Sequence, residues 1–201
     1  GGYMFAQNKN TGAELWKIPI AGQVGGNGTI SSNGTFYGTE AANDGFYVVD
    51  TTTGQVKWLY NFLNGGHGND HTVLTNDGTV YTIRHNATSL TTTLLAFNPD
   101  GSIKWQQNYV LSAIAGDVSL GMTLFAVGAD ETLYFGFSTY NASDEHTDHG
   151  KLYAINPASP AIPIWTYNTG DLEASLSNFT PVVDSDGTIY VVESAPDQTT
   201  Y

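Results

Sequence analysis

No cysteine occurs in the 201 residues, which excludes disulfides, a thiolate nucleophile and cysteine-based zinc sites. Basic residues are scarce: 6 Lys and Arg stand against 19 Asp and Glu, a formal net charge of -13. A surface of that sign repels phosphate backbones and anionic headgroups, which removes nucleic acid from the partner classes. Charge of either sign is sparse at 12% of residues, so solubility rests on Thr, Asn, Ser and Gly. That composition points to an extracytoplasmic setting, secreted, cell-surface or periplasmic. Long apolar runs are missing as well. FYVVD and LLAF fall far short of a membrane span, and no basic-then-apolar leader opens the chain. The expectation is that a leader has been removed or that the sequence is a segment of something longer. Helical periodicity is also absent; LSAIAGDVSLGM comes nearest, and its glycines make it read as strand and turn.

What is present is a repeat. A tight-turn phrase followed by a short strand occurs at SSNGTFYGTE, TNDGTVYTIR, GADETLYFGF and DSDGTIYVVE. Asn-Gly and Asp-Gly suit two-residue hairpin turns with positive backbone angles. A compact apolar strand follows at FYVVD, LLAFN and LYAIN, with MFAQN as a copy near the start. Each unit ends on a turn and a tryptophan, at Trp16, Trp58, Trp105 and Trp165, which lie 42, 47 and 60 residues apart. The growing interval is taken up by the loop before the apolar strand, which lengthens from AAND to TYNASDEHTDHG. Four short antiparallel strands per unit at this spacing predict an all-β propeller of four-stranded blades. About four blade equivalents are expected over 1-201, with units near 1-18, 19-60, 61-107, 108-168 and 169-201. The first and last are half-blades, so one blade is split between the two ends.

LYAINP...W, FYVVDTTTGQVKW and FAQNKNTGAELW resemble the outer-strand motif of pyrroloquinoline-quinone-type β-propeller repeats. That fold is shared by quinoprotein alcohol dehydrogenases and by the outer-membrane assembly lipoprotein of the bacterial barrel-insertion machine. The resemblance implies that Trp16, Trp58, Trp105 and Trp165 pack between adjacent blades and that the TG turn holds their approach. The fourth copy departs from the pattern: NPASPAIPIW has no TG, and Pro160 and Pro163 suggest a looser turn. In the quinone enzymes the cofactor sits on the propeller axis near calcium, with an aspartate base and often a vicinal cysteine pair. This chain has no such pair and no carboxylate to which the catalytic role transfers, so the resemblance implies a non-catalytic member with no cofactor.

Two loops group potential metal ligands: His67 and His71 with Asp70 in GGHGNDH, and His146 and His149 with Asp144, Glu145 and Asp148 in NASDEHTDHG. Imidazole and carboxylate suit zinc, copper or manganese, and His146 with His149 could share an ion in a turn. The DG turns lack the full EF-hand ligand pattern and read as hairpin turns, not calcium loops. Five N-x-[ST] sequons occur, at Asn27, Asn33, Asn86, Asn141 and Asn178. Asn33 falls in a turn and Asn86 and Asn141 in the variable loops, which makes those three the candidate glycan acceptors.

The functional expectation is a non-enzymatic scaffold for protein assembly or binding, self-associating through its split blade into a ring or filament. Its partners are then itself or another protein. Two alternatives stand beside it: a fragment of a quinone-dependent dehydrogenase, and a carbohydrate-binding propeller using Tyr60, Tyr109, Tyr140 and Tyr167.

Overall fold

The computed structural model describes residues 2-20, 28-40, 45-61, 72-86, 91-110, 117-122, 125-141, 144-168 and 180-191. Two compact units divide the chain, Gly1–Asn86 with Thr93–Gln106, and Ala87–Thr92 with Gln107–Tyr201. Every element among the described residues is a strand. The first two, β1 (Gly2–Gln7) and β2 (Glu14–Ile20), form a two-stranded sheet. A four-stranded sheet follows, with β3 (Thr29–Ile30), β4 (Thr35–Glu40), β5 (Gly45–Asp50) and β6 (Val56–Asn61) in sequence order. The next repeats that order with β7 (Thr72–Leu74), β8 (Val80–Asn86), β9 (Thr91–Phe97) and β10 (Ile103–Val110). The third contains β11 (Asp117–Met122), β12 (Ala126–Val127), β13 (Leu133–Asn141), β14 (Asp144–Ile155) and β15 (Trp165–Asn168). There β11 and β12 pair in turn with β13. Last comes a second two-stranded sheet, β16 (Val182–Val183) with β17 (Ile189–Tyr190). All pairings are antiparallel meanders, the architecture of propeller blades, and they amount to about four blade equivalents.

The turns are built differently from the two-residue form that their sequence suggests. In SSNGT the amide of Gly34 donates to the Ser31 carbonyl and that of Ser31 to the Thr35 carbonyl, so the loop holds three residues. Gly34 alone takes a left-handed angle, φ 76°, while Asn33 does not. This is a type I turn closed by a left-handed residue, whose twist suits flanking strands as well as a two-residue turn does. The same bonds recur at Thr75 to Thr79, Gly128 to Thr132 and Asp184 to Thr188. In the Gly128 to Thr132 turn Glu131 occupies the glycine position at φ 66°.

A second departure concerns length. NASDEHTDHG reads as loop, yet β14 begins at Asp144 and its ladder to β13 runs out to Thr139↔His149 and Tyr140↔Asp148, with a bulge beyond. Asn141 is the last residue of β13, and Asn86 the last of β8, rather than loop residues. Thr and Tyr are good strand formers, and backbone pairing continues past the segment the core requires.

The core of the first unit is aromatic. Phe46 and Phe97 are fully buried and stack with centroids 5.2 Å apart and planes 8° from parallel. Trp58 tilts against both, at 5.5 and 5.4 Å, and Tyr60 meets Phe97 edge-on at 5.3 Å. In the second unit Phe135 stacks on Tyr153 at 5.3 Å and meets Tyr109 edge-on at 5.2 Å. The Tyr109 hydroxyl donates to the Pro160 carbonyl at 2.6 Å. Burial pushes the Tyr153 phenol up to about 12 and the Tyr109 phenol higher still.

Candidate functional site

Alternation along the strands gives each sheet two apolar faces, and the tryptophans show how one sheet meets the next. Trp16, on β2, lies against the turn between β5 and β6. Its Nε1 donates to the Thr51 carbonyl at 2.8 Å, and a Cβ placed on Gly54 would sit 2.8 Å from its ring. Met4, Trp16 and Ile18 together cover Tyr47 and Val49. Trp58, on β6, repeats the arrangement one sheet along: a Cβ on Gly101 would sit 2.6 Å from its ring. Trp58 and Tyr60 pack into the cluster that holds Leu95 and Phe97. Each joint therefore has a tryptophan over a left-handed glycine (φ 73° at Gly54, 91° at Gly101), with a second side chain two residues on.

The polar half of each sheet is repeated too. Lys57, before Trp58, donates to the Thr35 hydroxyl at 2.7 Å, and Lys104, before Trp105, to that of Thr79 at 2.8 Å. Lys104 also pairs with Asp77 at 3.1 Å. The Trp105 ring is half-buried and tilts against Tyr81 at 5.7 Å.

At Trp165 the joint is open. Its ring meets Tyr134 of its own sheet at 6.0 Å, yet Trp165 is 38% exposed and Tyr167 52%. On β1 the face carrying Tyr3 and Phe5 is open as well, at 58% and 54% exposure. A Cβ on Gly12, φ 70°, would meet nothing within 4 Å. These faces carry no charge run, and they adjoin the split blade expected from the sequence.

Other sites expected from sequence divide as follows. His67, Asp70 and His71 lie outside the described residues, as do Asn27 and Asn178. His146 and His149 belong to strand β14, not to a turn. No three His, Asp or Glu side chains among the described residues are grouped to hold a metal ion. Asn33 is in its turn and accepts from the Ser31 hydroxyl at 2.5 Å. Of the tyrosines proposed to meet carbohydrate, Tyr60 and Tyr109 are packing residues, Tyr140 is on β13 and Tyr167 is exposed. Packing claims Tyr60 and Tyr109 because each ring meets a phenylalanine of another sheet edge-on.

Sequence reading also missed a cleft of about 320 Å³ between the Gly128 to Asp130 turn and the Val183 to Gly187 turn, with Asp130, Asp184 and Asp186 on its walls. The recurrence of the DG turn in successive units is the signal that could have found it. Two of these carboxylates serve their own turns, since Asp130 and Asp186 accept from the backbone amides of Thr132 and Thr188 at 3.1 and 2.8 Å.

Those bonds hold Asp130 and Asp186 below the usual carboxylate range. The Thr53 amide does the same for Asp50 and the Ser102 hydroxyl for Asp100. Asp77 is lowered furthest, chiefly by the Thr75 hydroxyl and then the Thr79 amide. A carboxylate whose pKa is depressed by folding stabilises the fold above its unfolded value, about 4, and loses that contribution as pH falls toward the folded value. The expected result is a thermal midpoint that is level from about pH 7 to 5 and drops below about pH 4. In Asp77→Asn the drop is shallower, because one of these contributions is already gone. Calorimetry across that range checks it, and a midpoint level down to pH 3 in the native chain would refute it.

Comparison with known proteins bears on this geometry. A family model, PQQ_2, described as outer membrane protein assembly factor BamB, matches residues 2–198. The chain belongs to this family. Among solved structures, BamB from Moraxella catarrhalis matches this PQQ_2 chain with a TM-score of 0.63 and 17% identity over 96% of its length. A complex of KlAtg21 with the coiled coil of AgAtg16 matches at 0.59 and 9%, again over 96%. At such identities the likeness is one of fold. The chain covers 49% and 58% of those two proteins, so it spans about half their length. No curated protein matches the sequence.

Proposed function

We infer that this PQQ_2 chain is a non-enzymatic, extracytoplasmic scaffold for protein assembly, which associates through the strand edges of its two-stranded sheets. The observation that carries the reading is the pair of sheets β1–β2 and β16–β17, in which β1 and β17 each have one hydrogen-bonded neighbour among the described residues. A strand with a free edge is a template for strand addition, the backbone supplying affinity and the alternating side chains register. The family description names an outer membrane assembly factor, and the polar, lightly charged composition supports a setting outside the cytosol. Among the described residues no helix is long and apolar enough to cross a membrane.

Light scattering of the chain from micromolar to millimolar concentration is expected to show a rising mass. A monomer throughout would remove self-association from the reading. Titration with pyrroloquinoline quinone and calcium is expected to give no saturable signal, and saturable binding would move the chain to the quinone-dependent class.

A further inference from the structure

Resting on the scaffold reading, we propose that the partner of the open faces is a second copy of this chain, docked head to tail. Trp165 and Tyr167 of one copy lie over Phe5, Gln7 and Gly12 of the next. The argument is positional. Aligning the repeats on their apolar strands sets MFAQN beside FYVVD, LLAFN and LYAIN. In the two joints already formed, the donating face presents a tryptophan and the side chain two residues on: Trp16 with Ile18, then Trp58 with Tyr60. The receiving face presents two alternate residues of the next apolar strand: Tyr47 with Val49, then Leu95 with Phe97. A left-handed glycine in the following turn lies under each tryptophan, Gly54 and then Gly101.

Open faces stand at the same positions elsewhere in the chain. Trp165 and Tyr167 occupy the places of Trp58 and Tyr60, and Phe5, Gln7 and Gly12 those of Tyr47, Val49 and Gly54. The receiving turn already has its bound shape. Gly12 donates to the Asn8 carbonyl and Asn8 to that of Ala13, as Gly54 donates to Asp50 and Asp50 to Gln55. Its φ of 70° matches the 73° of Gly54. What it lacks is the tryptophan. Each open face carries exposed aromatic rings, and packing the two together removes Trp165, Tyr167 and Phe5 from water at once. The joint is heterologous, and two such contacts either close a ring or continue as a filament.

The absence of cysteine makes the test clean. Gln7→Cys and Tyr167→Cys are prepared as separate full chains, mixed, and treated with a short bismaleimide. The expected product has twice the chain mass, forms only in the mixture, and is lost when Ser185→Cys replaces Tyr167→Cys. In the double variant Gln7→Cys/Tyr167→Cys the expected product is a closed dimer or a ladder of multiples. A cross-linked monomer in its place would overturn the proposal in favour of closure within one chain. Trp165→Ala with Tyr167→Ala, two exposed positions, is expected to weaken self-association at least tenfold by light scattering. If the native chain associates but the mixture does not cross-link, the joint is wrong and the scaffold reading stands. If the native chain does not associate, the proposal fails and self-association leaves the scaffold reading with it.

Discussion

Replacing Phe97 by alanine is expected to cost about 3–5 kcal/mol of stability, the range for removing a fully buried aromatic ring. The reason is where the ring sits. It is the last residue of β9, has no solvent exposure, and touches three rings at once: Phe46 in a stack, Trp58 tilted and Tyr60 edge-on. Deleting it removes apolar burial and leaves a void walled by aromatic groups that cannot collapse into it without leaving their strands. A domain stability is about 5–15 kcal/mol, so the variant loses a large fraction of the whole. Urea unfolding followed by far-UV circular dichroism measures it. Ile162→Ala, at a position 73% exposed, is the control and is expected to change stability by less than about 0.5 kcal/mol. A cost for Phe97→Ala as small as that of the control would contradict the packing described.

The second large effect is expected at a residue with no side chain. Gly101→Ala forces an L-residue to φ 91° and drives a methyl group to 2.6 Å from the Trp58 ring. The left-handed angle costs about 1–2 kcal/mol and overpacking typically about 1–3 more, so a loss of about 2–4 kcal/mol is expected. Trp58 cannot retreat cheaply, because its other face is held by Phe46 and Phe97. Gly12→Ala separates the two causes. Gly12 has the same handedness at φ 70° but nothing within 4 Å of the added methyl, so in dilute solution it is expected to cost only the backbone share, about 1–2 kcal/mol. Equal losses at the two glycines would mean that the tryptophan contributes nothing to the penalty.

The fold was readable in the sequence because each unit cannot bury its apolar face alone and so repeats its signals. SSNGTFY and TNDGTVY mark one hairpin, FYVVD and LLAFN the buried strand, and KW the outer strand with its lysine returning to a threonine of the first hairpin. What escaped was whatever depends on geometry between repeats or on strand length. The pairing of Trp16 with Gly54, or of Trp58 with Gly101, joins residues some forty positions apart, and no local pattern states which turn a tryptophan will cover. Asn-Gly and Asp-Gly announce a left-handed residue without saying whether the loop has two residues or three; here the glycine alone takes the angle. NASDEHTDHG carries loop-like polarity, while its backbone goes on pairing because an antiparallel ladder needs no apolar side chain to continue. The acidic cleft at Asp130 and Asp186 arises from two turns placed side by side, each unremarkable alone. An open face was expected from the split blade; that it falls at Phe5 and Trp165 is read from their exposure.

The claim on which the rest depends is that sheet is joined to sheet by a tryptophan laid on the next turn's glycine. A double-mutant cycle on Trp58→Ala and Gly101→Ala tests it most directly, with stability measured by urea unfolding for the native chain, both single variants and the pair. The account predicts that Gly101→Ala costs only its backbone share once the ring is gone, a coupling of about 1–3 kcal/mol between the two positions. Additive losses, with no coupling beyond measurement error, would contradict it.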